Sequence, residues 1–156
     1  MSPKDPGRGP DVATNRAARF SYETVESFEA GLQLTGTEVK SLRDGKARLQ
    51  DSYALIDDGE LWLRGSYIPP YPPARDNHEP ERPRKLLMHR WEIERLVGRM
   101  QRKGLTLIPV SIYFRGRRAK VELALARGKD RADKRRTIRD RDVARDIERE
   151  MKQRSR

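Results

Sequence analysis

The chain contains no cysteine. That excludes a disulfide scaffold, thiolate metal sites and a thiol nucleophile, and it fits a cytoplasmic setting. Long apolar runs are also missing. Mean hydropathy is −0.97 and no stretch approaches the length that spans a bilayer, so no membrane partner is expected. The N-terminus shows no apolar segment of a secretory signal. Histidine is scarce: His78 lies in a proline-rich stretch and His89 beside Arg90, with none of the converging partners that a metal or acid–base site needs. The phosphate-loop, dinucleotide, zinc-protease and nucleophile-elbow motifs do not occur. Gly45-Lys46 and Gly128-Lys129 lack the upstream glycine of a phosphate loop. Asp57-Asp58 reads as a turn. Asp140, Asp142, Asp146, Glu148 and Glu150 alternate with arginines as helix ion pairs would. The chain is expected to be non-enzymatic, with neither metal nor cofactor.

What remains is positive charge. The 156 residues hold 35 Lys and Arg against 24 Asp and Glu, for a net charge of +11. A small protein this basic is suited to a polyanion, nucleic acid above all. Residues 1–14 carry three prolines, two glycines and little apolar matter, and are expected to form a disordered arm. Residues 15–126 are expected to fold as one domain. Residues 127–156 hold 13 Lys or Arg against 7 Asp or Glu. Ile138, Val143, Ile147 and Met151 are too few to order this tail alone. The spacing of Val143, Ile147 and Met151 predicts a latent helix with a narrow apolar stripe, suited to folding on a nucleic-acid surface.

The central domain reads as mainly β. Ala18, Phe20 and Tyr22 alternate with polar residues, as do Ala30, Leu32 and Leu34, and both patterns predict strands. Residues 38–46 read as a short helix with Gly45 at its end. Residues 52–56 and 61–68 flank Asp57-Asp58-Gly59-Glu60, a hairpin signal. Pro69 to Pro83 reads as a surface excursion. Residues 86–103 have helical spacing, with Leu87 facing Trp91 and Gly104 as the cap. Residues 105–114 and 119–126 form a second hairpin, in which Val121, Leu123 and Leu125 alternate with Glu122 and Ala124. Six strands with flanking helices predict a small antiparallel barrel; a sheet packed on one helical layer is the other option.

Cations cluster in two places: Arg16, Arg19, Lys40, Arg43, Lys46 and Arg48, and then Arg115, Arg117, Arg118 and Lys120. Long cationic side chains suit phosphate contact. Tyr22, Tyr53, Tyr67 and Tyr113 could stack on bases or fill the core.

Several strings resemble one known family. They are residues 15–19 (NRAAR), 28–32 (FEAGL), 36–43 (GTEVKSLR) with Gly45-Lys46, 51–53 (DSY), 84–87 (RKLL), Gly128-Lys129 and 133–135 (DKR). In this order they resemble the small protein B (SmpB) family of bacterial trans-translation. The resemblance implies a six-stranded OB-fold-like barrel with flanking helices and a basic tail. It implies an adaptor that binds the tRNA-like domain of tmRNA and brings it to stalled ribosomes. The tail would enter the empty mRNA channel past the small-subunit decoding centre, and elongation factor Tu would deliver the alanyl-tmRNA. A monomer is expected on the RNA. By position, Asn15, Glu29, Leu87 and Lys120 match residues tied to tmRNA contact, and Arg43 and Lys46 match the family's basic helix surface. The tail motif is Asp133, Lys134 and Arg135, with Arg127, Lys129, Ile147 and Met151 around it. Glu29 beside RNA would accept from base amino or ribose hydroxyl groups; alternatively it pairs with a nearby arginine. Asp130, Ala132 and Val143 depart from the family pattern. The alternative function is a general structured-RNA or ribosome-associated barrel.

Overall fold

A computed structural model describes residues 6–101, 104–128, 139 and 141–149, with only the backbone at Arg19. Its elements run β1 (Arg8–Thr14), α1 (Arg16–Ser21), β2 (Tyr22–Leu32), α2 (Gly36–Arg43), β3 (Tyr53–Asp57), β4 (Glu60–Arg64), β5 (Arg84–Leu87), α3 (Arg90–Met100), β6 (Leu105–Arg115) and β7 (Arg118–Gly128). Residues 141–149 are also helical.

The fold is mainly β, as the sequence predicts, but the described residues form seven strands and not six. All pairings are antiparallel. They run β6–β3–β4–β5–β2–β7 and return from β7 to β6. β6 is long enough to serve two neighbours along one edge. Leu107 pairs with Ala54 of β3, and Ser111 to Arg115 pair with β1.

Three expectations fail here, two because tertiary pairing overrides local pattern and one because a local cap does. Residues 8–14 are not a disordered arm. They form β1, since the open edge of β6 offers hydrogen-bond partners that compensate for their few apolar side chains. The alternation from Ala18 to Tyr22 is not a strand. The Asn15 side chain accepts from the Ala18 N–H at 3.3 Å and starts α1, so Tyr22 begins β2. Leu86 and Leu87 are not helical. Leu86 pairs with both Leu61 and Leu32, and α3 starts only after His89.

The hairpin at Asp58-Gly59 closes as expected, with positive φ at both residues (50° and 75°), the geometry of a tight two-residue turn. The main core gathers Leu42 of α2, Leu96 of α3 and the inward residues of the strands, among them Leu61, Leu63, Leu107, Val121, Leu123 and Leu125. Ala124 and Ala126 point the other way and are still buried, because Ala18 of α1 covers them with Ile108.

The proline-rich excursion is fastened to α2. Arg84 is wholly buried; its Nε donates to Glu38 at 2.5 Å and its Nη2 to the Pro80 carbonyl at 3.0 Å. His78 Nε2–H donates to the Ile68 carbonyl at 2.8 Å, and Nδ1 shares a hydrogen bond of 2.9 Å with the Thr37 hydroxyl.

Candidate nucleic-acid interface

The strand register lines up one row of residues across four strands. Leu87 of β5 pairs with Gly31 of β2, Gly31 with Lys120 of β7, and Lys120 with Tyr113 of β6. Directly opposed residues share a face of the sheet, and Glu29, two residues from Gly31, shares it too. This face is turned away from the core, which takes Ala30, Leu86, Ile112 and Val121. At Gly31 the row has no side chain. A Cβ there would lie 3.2 Å from the Leu87 Cβ. The gap forms the floor of an open groove of about 670 Å³ lined by Glu29, Leu87, Met88, His89, Arg118 and Lys120 among others. Leu87 is 51% exposed there, so it is no core residue. The N-terminus of α3 forms the groove's border. Glu26 of β2 holds that helix, pairing with Arg95 at 3.3 Å and with Arg99.

Glu29 is fixed from one side. Its Oε2 accepts from the Tyr113 hydroxyl and from Arg115 Nε at 2.9 Å. Arg8 of β1 lies over the Tyr113 ring, 3.8 Å from its centroid, and pairs with Asp11 at 2.9 Å. Partial burial pushes the Glu29 carboxyl up. The hydrogen bonds from Tyr113 and Arg115, with the charges of Arg115 and Lys120, more than reverse this and hold it below the usual range. Burial and the Glu29 charge push the Tyr113 phenol well above its ordinary value, so it stays a donor. Both bonds end on Oε2, which leaves Oε1 its capacity to accept from a ligand. Among the described residues, Arg118 and Lys120 have no ion-pair partner. The groove therefore offers two cations, one oriented carboxylate acceptor and an exposed leucine.

Of the residues singled out from sequence, Glu29, Leu87 and Lys120 meet in this groove. Asn15 does not. It is buried, its Oδ1 caps α1 and its Nδ2 donates to the Pro109 carbonyl at 3.0 Å. Arg16 is exposed on α1, which also carries Arg19. Lys40, Arg43 and Lys46 are exposed on and just after α2. Arg43 stacks over Phe114 at 4.1 Å, Lys40 lies over Tyr71 at 5.6 Å, and nearby Arg48 over Tyr67 at 4.6 Å. Such stacking orients long cations without neutralising them. Of the four tyrosines that could stack on bases, Tyr113 is buried and Tyr53 exposed, with Tyr22 and Tyr67 between. Arg127 is exposed near the end of β7, and Ile147 is exposed on helical residues 141–149. Lys129, Asp133, Lys134, Arg135 and Met151 lie outside the described residues.

Sequence reasoning missed Arg8, because β1 was not visible. It offered an arginine pair for Glu29, and Arg115 supplies it at 2.9 Å, but it named neither that partner nor the bond from Tyr113, because these join residues 86 and 84 apart. It also gave no weight to His89 and Trp91. Their rings lie within 9° of parallel, with centroids 6.3 Å apart. A histidine just before a helix that carries an off-face tryptophan was the available signal.

The family profile described as "SmpB protein" matches residues 12–153. The "SsrA-binding protein" of Mycolicibacterium gilvum (strain PYR-GCK) is 55% identical over 141 residues, covering 90% of this chain and 86% of that protein. The "SsrA-binding protein" of Trichormus variabilis (strain ATCC 29413 / PCC 7937) is 52% identical over 143 residues, covering 90% and 92%. A solved structure described as "tmRNA-SmpB: a journey to the center of the bacterial ribosome" superposes with a TM-score of 0.65. It is 50% identical and covers 81% of this chain and 93% of its own.

Proposed function

The chain belongs to the SmpB protein family, and on that premise we propose that it is a tmRNA-binding adaptor of trans-translation. The observation that carries this reading is the groove. Glu29, Leu87 and Lys120, which come from three strands, share it, and they match the positions tied to tmRNA contact. Lys120 and Arg118 meet phosphates and supply salt-sensitive affinity. Leu87 gives an apolar surface to a base or ribose. Glu29, held by Tyr113 and Arg115, presents Oε1 to a base amino group or a ribose hydroxyl, adding selectivity where the cations add affinity. Asn15 acts indirectly, by starting α1. Lys40, Arg43 and Lys46, exposed on and just after α2, offer a second positive surface to the RNA backbone, and Arg16 and Arg19 of α1 serve as further phosphate contacts.

The strand circuit β6–β3–β4–β5–β2–β7 serves as an OB-fold-like barrel with β1 added outside it. No residue of the groove is assigned a chemical step, and the protein acts as a monomeric, cytoplasmic adaptor. The tail beyond Gly128, with Lys129, Asp133, Lys134, Arg135, Ile147 and Met151, enters the empty mRNA channel next to the decoding centre. The exposed Val143 and Ile147 on helical residues 141–149 fit a segment whose apolar stripe is covered only on the ribosome. Elongation factor Tu delivers the alanyl-tmRNA complex.

The test is a titration of the tRNA-like domain of tmRNA against an elongator tRNA of equal length, at two salt concentrations. We expect a strong preference for tmRNA that Glu29→Gln largely removes, with both affinities falling as salt rises. A chain cut after Gly128, which preserves all of β7, should bind tmRNA as before and fail to support tagging on stalled ribosomes. Equal affinity for both RNAs, with equal salt slopes, would overturn the adaptor reading in favour of a general structured-RNA binder.

A further inference from the structure

We propose that Trp91, with His89 beside it, is a stacking platform for an unpaired base of the RNA that occupies the groove. The inference rests on the adaptor reading and extends its site beyond Glu29, Leu87 and Lys120. Trp91 is 62% exposed, more than any other large apolar side chain among the described residues. It contributes little to the core. At 100° per residue it lies on the side of α3 opposite Ile93, Leu96 and Met100, which pack inward. His89, the residue before the helix, lines the groove, and its ring is nearly parallel to the indole. The pair of parallel rings thus begins at the groove wall with His89, and the exposed indole stands beside it on the first turn of α3.

The setting selects the occupant. Arg118 and Lys120 attract a polyanion, and Arg90, almost fully exposed, pairs with Glu94 only at 3.9 Å. Glu29 and Glu92 also line the groove, and carboxylates there accept from base amino and ribose hydroxyl groups, donors that an RNA strand carries beside its phosphates. A partner with both negative charge and flat apolar rings satisfies the cations and the indole together, and an RNA strand with an unstacked base has both. Stacking tolerates every base, so Trp91 contributes affinity with little sequence preference. It touches no phosphate, so it leaves the salt dependence unchanged.

The chain has two tryptophans. A Trp62→Phe chain leaves Trp91 as the only indole, and its emission is followed during titration with the tRNA-like domain of tmRNA. Quenching with the midpoint of binding is expected, and it should vanish in Trp91→Phe. Trp91→Ala should weaken binding about tenfold with an unchanged slope of log affinity against log salt, and Trp91→Tyr should restore most of the loss. Unquenched emission at saturating RNA, or wild-type affinity in Trp91→Ala, would overturn the platform. Unchanged RNA affinity with impaired tagging would do the same and make Trp91 a protein contact. If the intact chain shows no preference for tmRNA, the adaptor reading itself fails. A preference retained in full by Trp91→Ala removes only the platform.

Discussion

Tyr113 donates its hydroxyl to Oε2 of Glu29, joining β6 to β2 across the intervening strand β7. The phenol ring is almost wholly buried, and Arg8 lies over it. The geometry of a half-exposed carboxylate is thus set by a rigid neighbour. Tyr113→Phe removes only the oxygen. We expect the folded domain to persist and the preference for tmRNA over elongator tRNA to fall roughly fivefold. That is less than the loss of a buried charged hydrogen bond, because solvent reaches Glu29. The Glu29 carboxyl should rise toward its ordinary value. Its depressed value contributes stability above the ordinary carboxylate range, which is lost as pH falls through the folded value. In Tyr113→Phe that loss should be smaller and should be complete at a higher pH. Carboxyl titration by NMR, beside competition binding, checks both; an unmoved titration would disprove the link.

Glu38 supplies a second pH signature. It is buried with Arg84, and it accepts from Arg82 Nη2 at 2.5 Å, from the Thr35 N–H at 2.9 Å and from Arg84 Nε at 2.5 Å. Burial pushes this carboxyl up, and the donors from Arg82, Thr35 and Arg84 bring it down from 4.5 to about 2. Its contribution to stability is complete above 4.5, declines as pH falls and is gone near 2. Glu38→Gln leaves Arg84 buried without a counter-charge, and should cost about 3–5 kcal/mol at neutral pH. Urea unfolding at several pH values should show that cost, with a flatter acid limb in the variant. Equal stability of the two chains at pH 7 would refute it.

Much of this was legible in the sequence where local signals agreed with the final pairing. Asp58-Gly59 specified its turn, and Val121, Leu123 and Leu125 marked the inner face of β7. The failures have two causes. β1 exists because β6 has an unfilled edge, β5 because Leu32 and Leu61 need a strand between them, and α1 because Asn15 caps it. The first two conditions are not local; the cap on α1 is, reaching three residues along the chain, and the alternation from Ala18 to Tyr22 obscured it. The site followed the same division. Glu29, Leu87 and Lys120 were found through resemblance, whereas Arg8 and the bond from Tyr113 depend on contacts between distant segments. Arg84 and Glu38 were visible only as motif letters, since their burial together arises when the proline-rich excursion folds back on α2.

Gly31 tests whether the groove itself matters. Its backbone φ is ordinary, so Gly31→Ala introduces no turn strain. The new methyl would sit 3.2 Å from the Leu87 Cβ and 3.6 Å from the Leu87 carbonyl oxygen. The first distance is tighter than ordinary contact, so β5 or the leucine must give way by a few tenths of an ångström. Lys120 lies on the other side of the same residue. The methyl therefore rises between the apolar and cationic elements of the site. We expect tmRNA affinity to fall about tenfold, equivalent to about 1.4 kcal/mol, while the salt slope holds because no cation is removed. Thermal unfolding should shift by only a few degrees, because the strain falls on an exposed side chain. If Gly31→Ala binds tmRNA like the parent while Leu87→Ala does not, then Leu87 acts without the open floor beside it. If both variants bind normally, the RNA does not enter this groove.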